Sequence, residues 1–219
     1  MGFNNIVGMR LSIGIFALAF LSGNAAVAQP VEVGVEGGIR TTSDPSGNLT
    51  SESKRYIVGP TVDIRLAKGF SVEVDALYQR FGFTGVQEYG FAGSITRERT
   101  NSWELPVILK YHLPIRLAHP FVGIGYAPRI VNGTDVSSGS SNEFPPYYNL
   151  RTATNYPVTQ GVVVSGGVSL GAGHFRFTPE VRYTYWTGPY LNQYVSVAPC
   201  CSGQWVSNQN EVSVLLGIR

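Results

Sequence analysis

The sequence is short of charge and almost without cysteine. Asp, Glu, Lys and Arg make up only 14% of its 219 residues, against about a quarter in ordinary soluble domains. The formal net charge is +2, too small a field to gather nucleic acid. The two cysteines, Cys200 and Cys201, are adjacent, and neighbours cannot form the framework of a stapled domain. No Cys or His pair at ligand spacing accompanies them, which argues against a metal centre. No histidine is followed two residues later by serine. His112 precedes Leu113-Pro114, His119 precedes Pro120-Phe121 and His174 precedes Phe175-Arg176. A nucleophile and base two apart on one strand are therefore missing. Gly123-Ile-Gly125 sits in a strand-like stretch with no helix after it, so a nucleotide loop is excluded. A helical period of useful length is also missing.

What is present begins with a segment to set aside. Residues 1–28 carry Arg10, an apolar run from Ile13 to Leu21, and the small-x-small sequence Ala26-Val27-Ala28 before Gln29. That is the pattern of a secretory signal peptide, with cleavage between Ala28 and Gln29. The apolar run falls short of the roughly 20 residues a spanning helix needs. Residues 29–219 then form one domain.

Within that domain apolar and polar residues alternate with period 2 in eight stretches, the mark of strands with two unlike faces. They cover residues 31–40, 55–66, 70–81, 102–112, 120–129, 159–171, 175–186 and 209–219. The fifth is glycine-rich, and Val122, Ile124 and Tyr126 are taken as its apolar face. Connections alternate in length. Residues 67–69, 113–119 and 172–174 are short turns; residues 41–54, 82–101, 130–158 and 187–208 are long loops rich in Ser, Asn, Gly, Pro and Tyr. An even strand number with short turns at one end and long loops at the other is how transmembrane barrels are built.

Two further features separate a membrane barrel from a soluble one. With the long loops at the top, Tyr56, Tyr78, Trp103, Tyr126 and Tyr185 lie at strand tops on the apolar face, and Phe70, Tyr111, Phe175 and Phe177 at strand bottoms. The residues between them are mostly aliphatic. Two aromatic girdles around an aliphatic band match the two membrane interfaces. The apolar face also carries a single charge, Arg80, at a strand top, where a long stem lets the guanidinium reach the headgroups. The expected fold is all-β: an eight-stranded antiparallel up-and-down transmembrane barrel with short periplasmic turns and long extracellular loops.

Several strands also resemble a known family. Trp103-Glu-Leu-Pro-Val-Ile-Leu-Lys-Tyr111 is similar to the fourth-strand signature of the outer-membrane β-barrel domain family. Pro120-Phe-Val-Gly-Ile-Gly-Tyr-Ala-Pro128 resembles its fifth strand, Thr178-Pro-Glu-Val-Arg-Tyr-Thr-Tyr-Trp186 its seventh, and Glu211-Val-Ser-Val-Leu-Leu-Gly-Ile218 its last. The resemblance implies a small barrel resident in the bacterial outer membrane. Members of this class usually end on an aromatic residue, where this sequence has Arg219. The resemblance brings no catalytic residue, metal ligand or cofactor site with it.

On this facing the lumen holds Glu32, Glu36, Asp63, Glu73, Asp75, Glu104, Glu180 and Glu211 against Arg40, Arg55, Arg65, Lys110, Arg129, Arg176, Arg182 and Arg219. An eight-stranded barrel is just wide enough for its own side chains to fill, so near balance of charge reads as a closing network. Cys200 and Cys201 are expected to form a vicinal disulfide in the last long loop, in an oxidising compartment. Both mature termini should be periplasmic, with Gly139 and Gly203 outside and Gly69 inside. Asn48-Leu-Thr50 and Asn132-Gly-Thr134 match a glycosylation acceptor, a pattern common by chance. The functional expectation is a non-enzymatic, monomeric outer-membrane barrel acting structurally or through a ligand of its four long loops. It requires no cofactor. Its partners are outer-membrane lipid and the barrel-insertion machinery, with nucleic acid excluded. The alternatives are a porin-like transport barrel for a small or hydrophobic solute, and a soluble periplasmic ligand-binding barrel.

Overall fold

A computed structural model describes residues 31–42, 45–46, 49–51, 53–89, 92–115, 118–140, 158–172, 175–189, 192–197 and 201–219. The leader with its Ala28/Gln29 junction, His174, and Cys200 lie outside the described residues, as does the side chain of Cys201.

Eight strands follow one another around a closed ring. The first is Val31–Arg40 and the second Lys54–Arg65. The third runs in two pieces, Phe70–Asp75 and Leu77–Tyr89, and so does the fourth, Ala92–Glu104 and Val107–His112. The fifth is His119–Ser140, the sixth Thr159–Ala172, the seventh Phe175–Trp186 and the eighth Asn210–Ile218. Each pairs antiparallel with its neighbours in sequence. The ring closes where Val35 faces Ile218 and Arg40 faces Ser213. A closed sheet leaves no unpaired edge, the one sheet architecture hydrocarbon tolerates.

The breaks in the third and fourth strands do not open the wall. Pro106 has no N–H to give, but its carbonyl accepts from the Asp75 N–H at 3.1 Å. The Ala76 N–H donates to the Pro60 carbonyl at 3.0 Å, and the Leu105 N–H to the Pro128 carbonyl at 3.0 Å. The prolines thus sit where only an acceptor is needed. At the short-turn end the Leu66 N–H donates to the Phe70 carbonyl at 2.8 Å, closing a turn in which Lys68 and Gly69 take positive φ. The Leu113 N–H donates to the Pro120 carbonyl at 2.8 Å and closes the next turn.

Two of the expected long loops are partly strand. The third and fourth strands continue as a hairpin through residues 82–101 until Tyr89 faces Ala92, and the fifth strand continues to Ser140 alongside it. The period-2 pattern fades there because the stretch Thr96-Arg-Glu-Arg-Thr100 is polar at every position. A stretch with a polar residue at every position has no apolar side to mark its register. The backbone of the other loops is also paired. Asn192–Val197 pairs with Cys201–Ser207, which pairs in turn with Pro45–Ser46. Loops after the first and seventh strands therefore share a small sheet.

The facing is inverted relative to a soluble domain. Val33, Val35, Val107, Val122, Ile124, Val164, Val181 and Leu216 are exposed on the outer wall, while Glu36, Asp63, Glu73, Glu104, Lys110, Glu180, Arg182 and Glu211 are buried inside. Tyr56, Trp103, Tyr126 and Tyr185 stand exposed at the loop end of that wall, and Phe70, Tyr111, Phe175 and Phe177 at the turn end. Ring contacts run along both girdles, Tyr56–Tyr78–Trp103 above and Phe70–Tyr111 below. Trp103 and Tyr111 are eight residues apart, or roughly 26 Å of strand. At the usual tilt of about 40° that is about 20 Å of height, close to the apolar band of about 25 Å in such barrels.

Candidate functional site

The alternation that puts Val and Leu outward puts the intervening residue inward, so the lumen is built from every second side chain of eight strands. Its charges fall into three layers.

The central layer gathers Glu36, Asp63, Glu73, Asp75, Lys110, Glu180, Arg182 and Arg219. Arg182 reaches Glu36 at 3.2 Å, Glu73 at 3.2 Å, Asp75 at 3.0 Å and Glu180 at 2.9 Å. Lys110 Nζ lies 2.6 Å from Glu73 and 2.5 Å from Glu180. Arg219 pairs with Glu73 and, at 3.5 Å, with Asp63. The seventh strand, which carries Arg182, and the third, which carries Glu73 and Asp75, are four steps apart on an eight-membered ring. Their contacts therefore cross the full diameter of the barrel. Glu36, Glu73 and Asp75 bring carboxylate oxygens within 4.8 Å of one another, a spacing a cation could use. Arg182 contacts all three and supplies the positive charge itself.

The layer nearest the loops centres on Arg129. It pairs with Glu104 at 2.6 Å and with Glu211. Its guanidinium stacks 3.6 Å from the Trp186 ring centre, and the Trp186 indole N–H donates to Glu211 at 3.1 Å. The Gln79 amide donates to the other Glu211 oxygen at 3.2 Å. Arg40 lies 4.5 Å from the Phe81 ring. At the turn end, Glu32 is shared by Arg65 at 2.8 Å and Arg176 at 2.9 Å, both partly exposed. A cavity of about 230 Å3 opens beside them, lined by Arg65, Leu66, Phe70, His112, His119 and Arg176.

One inferred lumen residue is placed elsewhere. Arg55 is exposed, because the register between the second and third strands slips between Lys54 and Ile57. A bulge there takes Arg55 out of the alternation. Sequence reasoning also missed the apolar lumen. Ile108, Ala127, Val163 and Trp186 form one buried cluster and Ile57, Leu77 and Leu215 another. Position parity was the available signal: Trp186 follows outward Tyr185, and Ile108 lies between outward Val107 and Leu109. Assigning apolar residues to the lipid face by type hid it.

A serine–histidine contact was likewise invisible in sequence. Ser71 Oγ lies 3.0 Å from His112 Nε2, within reach of a nucleophile and its base. The carboxylate is on the wrong side for that chemistry. Asp63 Oδ2 accepts from Ser71 at 3.4 Å, whereas an orienting carboxylate belongs behind the imidazole. Ser71 is fully buried and the imidazole packs against Phe121, ring centres 5.5 Å apart. His119 is exposed at the turn end.

A family model described as outer membrane protein beta-barrel domain matches residues 27–185. The chain belongs to this family. An outer-membrane barrel explains why its large hydrophobic residues face outward, and the soluble-barrel alternative falls with that assignment. Among solved structures, the crystal structure of Neisserial surface protein A is similar at 13% identity and a TM-score of 0.42, covering 87% of this chain and 99% of that one. No curated protein matches this outer-membrane barrel by sequence.

Proposed function

We propose that this outer-membrane barrel is a non-enzymatic surface protein whose lumen is a plug and whose long connections carry its interactions. The observation that supports the plug is the set of ion pairs from Arg182 to Glu73 and Asp75, which join opposite walls. Charges in a narrow lumen are costly unless paired. Here they are paired side to side, and apolar clusters fill the gaps between them. A conducting pore would need those bridges to part, and a general porin needs about 16 strands to keep a water channel. The protein purified from the outer membrane should give no stable channel in planar bilayers. Reproducible single-channel conductance would instead support the transport reading.

In this proposal the leader is removed after Ala28, the barrel is a monomer, both mature ends are periplasmic, and the small sheet joining the first and last long loops faces outside. An epitope tag at Gly139 should be reachable on intact cells. If only a tag at Gly69 is reachable, the orientation is inverted.

A further inference from the structure

The outer wall carries one group of exposed cations that the lumen does not explain. Lys54, Arg80 and Arg99 are all exposed. They sit on the second, third and fourth strands, which are adjacent, and line a concavity of about 410 Å3 together with Phe81. Lys54 is directly opposite Arg80 in the register, and Arg99 faces Gly82, two residues further along the same strand. Like charges directly opposite each other destabilise a strand pair. Arg99 has a partner within the chain. Among the described residues no carboxylate forms an ion pair with Lys54 or Arg80, so the cross-strand repulsion stands uncompensated there.

The position of these cations is as informative as their charge. Arg80 follows Tyr78 by two residues on the same face, about 7 Å along the strand. Asn101, which accepts a 2.8 Å hydrogen bond from the Tyr78 hydroxyl, separates Arg99 from Trp103. Lys54 and Arg80 therefore stand one step, and Arg99 two steps, above a shelf of Tyr56, Tyr78 and Trp103, whose ring centres are 6.4 and 5.4 Å apart in sequence along it. Such aromatic rings mark the membrane–water interface. Cations immediately above that interface meet the anionic headgroups of the leaflet.

We infer that Lys54 and Arg80, supported by Arg99, form a binding site on the barrel wall for a phosphorylated glycolipid of the outer leaflet, the lipid A part of lipopolysaccharide. A phosphate between Lys54 and Arg80 supplies the missing counter-charge. The sugar rests on the Tyr78–Trp103 shelf, and the acyl chains descend along the aliphatic wall. The assignment of the leaflet rests on the orientation proposed above.

The test is native mass spectrometry of the full barrel released from micelles holding equimolar bisphosphorylated lipid A, dephosphorylated lipid A and phosphatidylglycerol. The expected result is selective retention of bisphosphorylated lipid A by the wild type. The Lys54→Gln/Arg80→Gln variant should retain it at least about tenfold less. Lys68→Asn, which removes an exposed cation from the turn at the other end, should behave as wild type. Heat-modifiable gel mobility shows that each variant is folded. Equal retention by the double variant, or equal retention of dephosphorylated lipid A, overturns the site. Preferential retention of phosphatidylglycerol, lost in the double variant, overturns both the ligand and the orientation. Absent lipid A retention while a Gly139 tag is reachable on cells overturns the ligand alone.

Discussion

Replacing Arg182 with methionine is the sharpest perturbation of the lumen. The side chain keeps an unbranched apolar stem but loses the guanidinium and its charge. Arg182 is 4% exposed and its partners Glu36, Glu73, Asp75 and Glu180 are no more than 2% exposed. Without it, these four and Asp63 face only Lys110 and Arg219. Removing one member of a buried ion pair costs about 3–5 kcal/mol, because the remaining charge is left without compensation. Here the arginine serves four carboxylates, so the upper part of that range is expected. Arg176→Met is the internal standard. Arg176 and Glu32 are 28% and 24% exposed, and a wet pair of this kind contributes about 1 kcal/mol or less. Urea unfolding of barrels refolded in lipid vesicles, followed by gel mobility, measures both. Arg182→Met/Glu180→Gln should recover part of the loss, since contacting residues are not additive. The magnitudes separate a plug from a channel: water in the lumen would solvate the orphaned carboxylates. If Arg182→Met costs within about 1 kcal/mol of Arg176→Met, the closed-lumen reasoning fails.

Three further outcomes test other parts of the molecule. Val107→Arg places a charge on the outer wall halfway between Trp103 and Tyr111 and should cost about 2–4 kcal/mol in the same assay, whereas Leu113→Arg, beyond the girdle, should cost at most about 1. A Cβ at Gly161 would lie 2.8 Å from the Trp186 ring and 2.9 Å from Thr184, so Gly161→Ala should destabilise by about 1–3 kcal/mol through overpacking, while Gly171→Ala, with open space around it, should be neutral. Intact mass after alkylation without reductant should add no label if Cys200 and Cys201 are paired; two added labels refute the disulfide.

The sequence revealed the fold because the membrane imposes its pattern. Wherever lipid touches the wall, every second residue must be apolar, as from Trp103 to Tyr111 and from Phe175 to Tyr185. Above the girdle that demand ends. Residues 82–101 and 130–140 then continue as strands with no period to read, and the bulge beside Lys54 took Arg55 off the face that counting had given it. Counting residues cannot register an irregularity in the ladder; here it touches only the top of the strand, since Ile57, Thr61 and Asp63 below it are buried as the alternation requires.

The lumen was legible in its charges but not in its apolar filling, and the two belong together. Glu104, Arg129 and Glu211 could be placed inside by parity alone, because charges on the lipid face are excluded. Trp186, Val163, Ile108, Ile57, Leu77 and Leu215 obey the same parity, yet their chemistry suits either face. Their burial changes what the charges do. Ion pairs between opposite walls hold only if water is kept from solvating each partner separately. The Arg129 guanidinium is wedged between Glu104, Glu211 and the Trp186 ring, so the indole both excludes water from the pair and donates its N–H to Glu211. The Lys110 ammonium likewise sits 4.3 Å from the Phe121 ring centre. The aromatic residues inside the barrel are thus the dry walls of the charge network, within which Glu36 Oε2, Asp63 Oδ1 and Asp75 Oδ1 are buried without a hydrogen-bond partner of their own.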